Sequence, residues 1–526
     1  MQYGFVKTAA LTPSIRVADC AYNARQIIEV LRGAAAAGAE IACLPELCIT
    51  GYTCGDLFFQ PVLQQGARDA LADVLRDTAG LPLLFVLGLP LTHGGKLYNC
   101  AAVCQNGRVL GVVPKTHLPN YNEFYEKRQF TPAPAENGVI DLSGAQVPFG
   151  TNLLFQCGTQ PALTLAVEIC EDLWAPLPPS TRHAMAGATL ICNLSASDET
   201  IGKAEYRRAL VTGQSARLLC GYVYADAGEG ESTTDMVFAG HNMVAENGAL
   251  LAETAPFCGG MALTDIDVER LAGERLKNTS FPAEDSANYE VIPFVLPQNV
   301  SPLTRIVSSA PFVPADAEQR ARRCDAILAM QASGLKKRLE HTHAKTAVVG
   351  ISGGLDSCLA LLVTVRAFSL LERPLSDIVA VTMPCFGTTE RTRTNAQRLC
   401  EALGVTLQHV DITQTVRSNF ADIGQDEARH DVTYENTQAR VRTLVLMNLA
   451  NRLGGLVIGT GDLSELALGW ATYNGDHMSM YGVNASVPKT LIRHIVASVA
   501  DETESSALRQ VLRDILDRSE ERRVGK

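Results

Sequence analysis

The chain has 526 residues, 47% of them hydrophobic, which allows roughly two to four globular domains with large cores. A formal net charge of -11 without a basic run excludes nucleic acid and anionic membrane as main partners and favours small molecules. No basic segment with a long apolar core opens the chain, so we expect a soluble cytoplasmic protein. The 15 cysteines, without a C-x-x-C pair, favour reduced thiols over disulfides or a zinc site.

In residues 1–267, short apolar runs alternate with helical stretches, which predicts a layered α/β domain. The stretch 101–113 predicts a β-hairpin, because two strand-like runs flank Asn106-Gly107, a favoured two-residue turn. The same pattern recurs around Asn247-Gly248. Between 268 and 313 the periodicity fades and prolines accumulate, which indicates a linker.

Residues 314–517 are predicted to form a second domain. A helix over about 314–341 is followed by strands and helices in alternation, as in a doubly wound parallel sheet. After the amphipathic segment 504–517 the chain ends in residues 518–526. We predict that this tail is non-native, because it back-translates naturally to a common sequencing adapter, and that the second domain is incomplete.

The stretch Ser352-Gly-Gly-Leu-Asp-Ser357 follows an apolar strand-like run and precedes an apolar helix. Its small residues let backbone amides approach an anion, so the stretch indicates a phosphate-binding loop. Asp356 stands near the helix start, where a carboxylate can hold a cation that bridges phosphates. The lysine pattern of a Walker-type loop is missing, which argues against that class of hydrolase.

Three segments of the first domain, 43–52, 112–118 and 165–174, carry groups for amide hydrolysis at the ends of predicted strands. Glu46 can act as general base and Cys170 as nucleophile. Lys115 can lower the thiol pKa and stabilise an oxyanion. Each residue alone would more often belong to the core or the surface, but a carboxylate, an ammonium and a thiol together form a workable amidase set.

These three segments resemble the carbon–nitrogen hydrolase (nitrilase) superfamily, over roughly residues 1–265. The resemblance implies an αββα sandwich and the catalytic residues Glu46, Lys115 and Cys170, with Glu123 as a supporting carboxylate. The tracts 115–125, 193–197 and 201–206 resemble the glutaminases of that superfamily. They imply a glutamine site formed by Tyr121, Glu171, Ser197 and Lys203. Position 203 has a lysine where the family pattern includes arginine, and a lysine offers the substrate carboxylate a point charge instead of a bidentate fork.

The loop 352–357 resembles the pyrophosphate-binding loop of adenylating synthetases. The segments 383–389, 434–442 and 459–476 resemble the NAD synthetase family, and the first domain adds its glutamine-dependent form. The resemblance implies an adenylating-synthetase sheet that amidates deamido-NAD through an acyl-adenylate. Ammonia from glutamine would reach it through a protected channel, in a homo-oligomer that needs ATP and Mg²⁺.

The resemblance also implies individual roles in the second domain. ATP binding is implied for Gly350, Ile351, Ser352, Gly353, Gly354, Leu355, Asp356, Ser357 and Thr460. Contact with deamido-NAD is implied for Asn436, Glu465, Trp470, Ala471, Thr472 and Tyr473. Asp356 and Glu465 would ligate Mg²⁺, and Lys489 is interpreted as a phosphate contact.

Two other functions remain open at this point. The same two sites could amidate a different acid through its adenylate, but the segments 435–440 and 459–476 argue against another acceptor. The chain could instead be a non-catalytic protein that senses ammonia or a nucleotide. The presence of Glu46, Lys115, Cys170 and Asp356 argues against that function.

Overall fold

The structure is a computed structural model. It describes residues 3–297, 302–386 and 390–524, the side chains of 390–393 and 519–524 excepted. The described chain forms two compact units, Met1–Ile306 and Val307–Lys526. Residues 387–389 of the predicted substrate segment 383–389 and residues 525–526 of the predicted tail lie outside the described residues.

The first unit is built mainly of strands. They are β1 Phe5–Thr12, β2 Ile41–Cys43, β3 Leu84–His93, β4 Lys96–Gln105, β5 Arg108–Pro114, β6 Gly138–Leu142, β7 Ala145–Phe149, β8 Leu153–Cys157, β9 Thr164–Ile169, β10 Leu190–Ser195, β11 Gly221–Asp226, β12 Met243–Glu246, β13 Ala249–Glu253, β14 Gly260–Asp267 and β15 Glu290–Phe294. The helices are α1 Cys20–Ala36, α2 Pro61–Thr78, α3 Glu126–Gln129, α4 Glu171–Trp174, α5 Pro179–Met185, α6 Lys203–Leu218 and α7 Val268–Lys277, with a 3₁₀ helix at Tyr52–Phe59.

Two sheets of this unit pack face to face between helices. Among the described residues one sheet has the order β14-β1-β2-β3-β4-β5-β7-β6 and the other β13-β12-β11-β10-β9-β8-β15. Side chains alternate along β1: Val6 and Ala10 enter the core between the sheets, while Ala9 and Leu11 pack in the core that contains α1 and α2. Helix α6 covers the outer face of the second sheet. The predicted αββα sandwich is confirmed.

The two predicted hairpins are present as β4-β5 and β12-β13. Asn106 and Gly107 have φ of 50° and 74°, and Asn247 and Gly248 have 44° and 84°. Positive φ at both central residues matches the twist of the strands, which is why Asn-Gly suits these turns.

The structure differs from the predicted linker at 268–313. Helix α7 follows β14 directly, and β15 pairs in parallel with β8 at the edge of the second sheet. The backbone amides of Thr304 and Arg305 also donate hydrogen bonds to the Asp265 carboxylate. The segment therefore belongs to the first unit as far as Ile306. Strand β15 is difficult to predict from the sequence because an edge strand of five residues with a proline shows little periodicity.

The second unit is a parallel sheet with helices on both faces. Its strands are β16 Ala347–Gly350, β17 Ile378–Thr382, β18 Thr406–His409, β19 Leu456–Gly459 and β20 Tyr481–Gly482. Its helices are α8 Ala317–Thr342, α9 Leu355–Leu370, α10 Glu390–Leu403, α11 Thr413–Ile423, α12 Val432–Leu453, α13 Leu463–Leu468, α14 Lys489–Glu502 and α15 Ser506–Val524, with a 3₁₀ helix at Leu375–Asp377.

The strand order β18-β17-β16-β19-β20, all parallel, confirms the predicted doubly wound sheet. Ala347 and Val349 face the core built with α9 and α14, while Val348 faces α12. From β16 the sheet extends to one side through β17 and β18 and to the other side through β19 and β20. Ligands of such sheets bind beyond the carboxyl ends of the strands at this switch point.

Helix α15 continues past Asp517 into the predicted tail, and Arg518 donates a hydrogen bond to the carbonyl of Gly353. In the part of the chain that the structure describes, no helix has the length and apolarity needed to cross a membrane.

Candidate active sites

The first site lies where β2, β5 and β9 end. Glu46 stands in the turn after β2, Lys115 directly after β5 and Cys170 directly after β9. The turn that carries Glu46 packs against Gly88 of β3, where an added Cβ would lie 2.2 Å from the backbone nitrogen of Leu47. Only glycine permits this approach, so β3 fixes the position of the carboxylate.

Lys115 lies between two buried carboxylates. Its Nζ donates to Glu46 Oε1 and to Glu126 Oε1, each at 2.6 Å. The three side chains are almost completely shielded from solvent. Burial works against the ammonium, but Glu126 and Glu46 raise the pKa of Lys115 above its ordinary value, so the residue stays charged.

Other polar groups complete the carboxylate contacts. Asn99 Nδ2 donates to Glu46 Oε1 at 2.6 Å, and the backbone amide of Ala196 donates to Glu46 Oε2 at 3.0 Å. Tyr52 donates its hydroxyl to Glu126 at 2.9 Å. Burial raises the pKa of Glu126 to about 7, against the attraction of Lys115.

Cys170 occupies a sharp turn between β9 and α4. Its φ of 46° and ψ of -100° are rare for a residue with a side chain, which is typical of a strained nucleophile position. Burial and then the charge of Glu46 raise the pKa of the Cys170 thiol well above its ordinary value. Lys115 opposes this shift without overcoming it. The predicted lowering of the thiol pKa by Lys115 is thus present, but it is smaller than the rise caused by burial and Glu46.

Glu123 is half-buried on the wall of the site. Among the described residues, the carboxylates that contact Lys115 are Glu46 and Glu126. The place that the sequence assigns to Glu123 beside the triad is thus taken by Glu126, three residues later. A catalytic contribution of Glu123 stays a prediction.

A cavity of about 410 Å³ opens onto Cys170. Its wall includes all four residues predicted to bind glutamine, Tyr121, Glu171, Ser197 and Lys203. The hydroxyl of Tyr121 donates to the carboxylate of Glu171 at 2.9 Å. The cavity therefore offers a carboxylate and an ammonium beside the thiol.

Lys203 is held by charge and by aromatic rings. Its ammonium pairs with Asp198 and lies 5.5 Å and 5.4 Å from the ring centroids of Phe124 and Trp174. Cation–π contacts of this kind attract the ammonium to the ring faces. The Lys203 side chain is thus held on the cavity wall by Asp198 and the two rings.

The second site lies at the carboxyl ends of β16 and β19. A cavity of about 520 Å³ is lined by most of the residues predicted for ATP and deamido-NAD, namely Gly350, Ile351, Ser352, Gly354, Asp356, Ser357, Thr460, Glu465, Trp470, Ala471 and Thr472. The Ser357 hydroxyl donates to the carbonyl of Gly354, and Ser352 Oγ accepts from the amide of Gly354 at 3.3 Å. These hydrogen bonds within residues 352–357 fix the conformation of the loop.

Four predicted ligand residues stand apart from this cavity. Gly353 lies in the loop with φ of 71°, and Leu355 packs in the core. Asn436 is half-buried on α12, and Tyr473 is mostly exposed. Their binding roles stay predictions.

Three carboxylates converge beside the loop. Ligand oxygens of Asp356, Asp462 and Glu465 lie within 4.8 Å of one another. Asp356 Oδ1 is buried without a hydrogen-bond partner among the described residues. Lys489 pairs with Asp356 and lies 3.3 Å from Asp462. Carboxylate oxygens are the ligands that Mg²⁺ prefers, and the unpaired oxygen fits such a cation.

The sequence predicts two of these carboxylates and misses Asp462. Asp462 caps α13 and forms a capping box with Glu465, a pattern that the sequence Asp-x-x-Glu could have revealed. Asn484 is also missed: it donates to the carbonyls of Asp356 at 2.9 Å and of Thr460 at 3.1 Å. This buried amide joins the loop after β16 to the loop after β19.

Two families match this chain. The carbon-nitrogen hydrolase family matches residues 7–275 and the NAD synthase family matches residues 327–501. The chain is 46% identical over 532 residues to the glutamine-dependent NAD(+) synthetase of Mycobacterium tuberculosis (strain ATCC 25618 / H37Rv). The matched region covers 98% of this chain and 78% of that relative. It is 29% identical over 494 residues to the enzyme of that name from Thermotoga maritima, covering 93% and 80%. A solved structure of glutamine-dependent NAD+ synthetase from Acinetobacter baumannii, in complex with adenosine diphosphate, is 25% identical and covers 97% of this chain and 84% of that one, with a TM-score of 0.43.

Proposed function

Because the chain belongs to the family of glutamine-dependent NAD(+) synthetases, we propose that it amidates deamido-NAD to NAD with ATP and with ammonia from glutamine. One observation carries the proposal. A single chain holds a thiol, ammonium and carboxylate site with an amino-acid-sized cavity, and a phosphate-binding loop beside three carboxylates.

The first unit hydrolyses glutamine. Cys170 is a thiol at neutral pH because burial raises its pKa, so a base must remove the proton as sulfur attacks the amide carbon. Glu46 is that base. Lys115 stabilises the oxyanion that forms on the amide oxygen.

The amide nitrogen then leaves as ammonia, with the proton that Glu46 returns. The enzyme is left as a thioester on Cys170. Glu46 removes a proton from water, which attacks the thioester carbon. The C–S bond breaks, glutamate is released, and Glu46 returns the proton to the Cys170 sulfur. One carboxylate thus serves both half-reactions, and no histidine is needed.

Charges in the cavity support an amino acid as substrate. Lys203 suits the α-carboxylate, while Glu171, with Tyr121 on its oxygens, suits the α-ammonium. A zwitterion would satisfy both groups. A simple aliphatic amide would bring no charge to either group and would leave Lys203 with its counter-ion Asp198.

The second unit activates the nicotinate carboxylate. This carboxylate attacks the α-phosphorus of ATP, which yields an acyl-adenylate and pyrophosphate, and ammonia then displaces AMP. The loop 352–357 grips the pyrophosphate end with its backbone amides. Asp356, Asp462 and Glu465 would hold Mg²⁺, which neutralises charge on the phosphates when bound. Lys489 supplies further positive charge beside the same carboxylates.

Ammonia is mostly protonated in neutral water, so direct transfer between the sites would keep it nucleophilic. We therefore propose a protected transfer, and a homo-oligomeric assembly, as further parts of the function. Light scattering on the purified chain tests whether it forms a homo-oligomer.

One incubation tests the function. The chain is mixed with deamido-NAD, ATP, Mg²⁺, glutamine labelled with ¹⁵N on the amide, and unlabelled ammonium. We expect ¹⁵N-labelled NAD with equal amounts of AMP and pyrophosphate. Release of ADP and phosphate, or glutamate without NAD, would contradict the proposal; NAD that carries mainly unlabelled nitrogen would contradict protected transfer alone.

A further inference from the structure

We propose that Arg207 is a positioning residue that fixes the wall of the glutamine cavity. The proposal rests on the proposed glutaminase function. Arg207 is on α6, and its side chain is fully buried. Nothing in the sequence distinguishes it from Arg208 beside it, so its role emerges only from the contacts that follow.

A single guanidinium holds three consecutive residues, the first of which belongs to the cavity wall. Arg207 Nη2 donates to Ser197 Oγ at 3.2 Å and to the carbonyl of Asp198 at 3.1 Å. Arg207 Nη1 donates to Glu199 Oε2 at 2.9 Å. Ser197 lines the cavity, and Asp198 is the counter-ion of Lys203. Arg207 thus fixes two groups of the substrate site.

The guanidinium is itself held from its far side. Nη1 donates to His241 Nδ1 at 2.9 Å, and His241 Nε2 lies 2.5 Å from Glu253 Oε1. Burial lowers the pKa of His241, so the imidazole is neutral and Nδ1 can accept this hydrogen bond. Burial disfavours the arginine charge, but Asp226 raises the pKa of Arg207 above its ordinary value. Asp226 also accepts the amide of Ser197 at 2.9 Å.

Helix geometry links the same residue to Lys203. Lys203 begins α6, and residues four apart lie on one face of a helix, so Arg207 stands one turn behind Lys203. Lys203 reaches the cavity while Arg207 anchors the strand-to-helix segment that borders it. A lysine at position 207 could not reproduce the fork of donors that reaches residues 197, 198 and 199 together.

The test compares Arg207→Lys with Arg217→Lys, the same change at an exposed arginine of α6. For Arg207→Lys we expect the KM for glutamine to rise about tenfold or more, with kcat changed less than about threefold. Synthesis of NAD from added ammonium should stay within about twofold of the unchanged chain, and Arg217→Lys should alter neither reaction.

A double-mutant cycle with Ser197→Ala separates positioning from general damage. If Arg207 acts through the Ser197 hydroxyl, the two changes together should raise KM by clearly less than the product of their separate effects. If Arg207→Lys does not fold, Glu199→Gln removes one contact of the guanidinium and should still raise KM about threefold.

The proposal is overturned if folded Arg207→Lys keeps its KM for glutamine within about twofold, or if its ammonium-driven NAD synthesis falls as much as its glutamine-driven synthesis. It is also overturned if the KM of the double variant equals the product of the two separate effects. Failure of the underlying function is distinguishable, because the unchanged chain would then release no glutamate from glutamine.

Discussion

Replacing Glu126 by glutamine tests which carboxylate supports Lys115. At a pH above the Glu126 pKa of about 7, the variant keeps the size of the side chain and removes a charge 2.6 Å from the ammonium. At an effective dielectric constant near 20, that attraction amounts to about 6 kcal/mol before desolvation is subtracted. Glutamine can still accept one hydrogen bond and Glu46 remains in place, so we expect a net loss of about 3 kcal/mol in the free energy of unfolding.

The effect on catalysis should be separate from that on folding. Without Glu126, the ammonium of Lys115 is balanced by Glu46 alone, which weakens Glu46 as a base. A change of about 2.7 kcal/mol in the transition state corresponds to about a hundredfold loss of kcat/KM for glutamine. Glutamate release and urea unfolding measure the two effects. Glu123→Gln is the matched control and should stay within about threefold. Equal losses in both variants, or a Glu126→Gln enzyme with unchanged kcat/KM, would refute this reasoning.

Three further results are expected. Because the pKa of the Cys170 thiol is raised, its alkylation by iodoacetamide should be slow at pH 7 and should increase about tenfold per pH unit above pH 7. The rate of glutamine turnover should not follow that rise. Parallel pH profiles of alkylation and turnover would contradict the role of Glu46 as base. Asp462→Asn should raise the Mg²⁺ concentration needed for half-maximal NAD synthesis about tenfold and leave glutaminase activity unchanged. Asn484→Leu should cost about 2 kcal/mol of unfolding free energy, because two buried carbonyls lose their donor; an unchanged urea midpoint would argue against that link.

Sequence patterns predict the architecture well where each strand has two apolar faces. The apolar runs before residues 115, 170 and 352 place these positions at strand ends, and binding and catalytic residues occur disproportionately in the loops that follow strands. For that reason Glu46, Lys115, Cys170 and Asp356 can be selected from the chain before any coordinates are known.

What the sequence does not predict are partners that depend on three-dimensional packing. Glu126 rather than Glu123 contacts Lys115 because helix α3 turns its carboxylate inward. Arg207 is buried although arginines on helices are usually exposed, and only the acceptors around it explain that position. The net rise of the Cys170 pKa likewise depends on burial, which motif spacing does not reveal.

The most direct test of two cooperating sites is Cys170→Ala, assayed with deamido-NAD, ATP and Mg²⁺ and with either glutamine or ammonium. We predict no NAD with glutamine, and NAD synthesis with ammonium within about twofold of the unchanged chain. A folded variant that loses both reactions, or one that still uses glutamine, would contradict the assignment of ammonia release to Cys170 and of its consumption to the loop at 352–357.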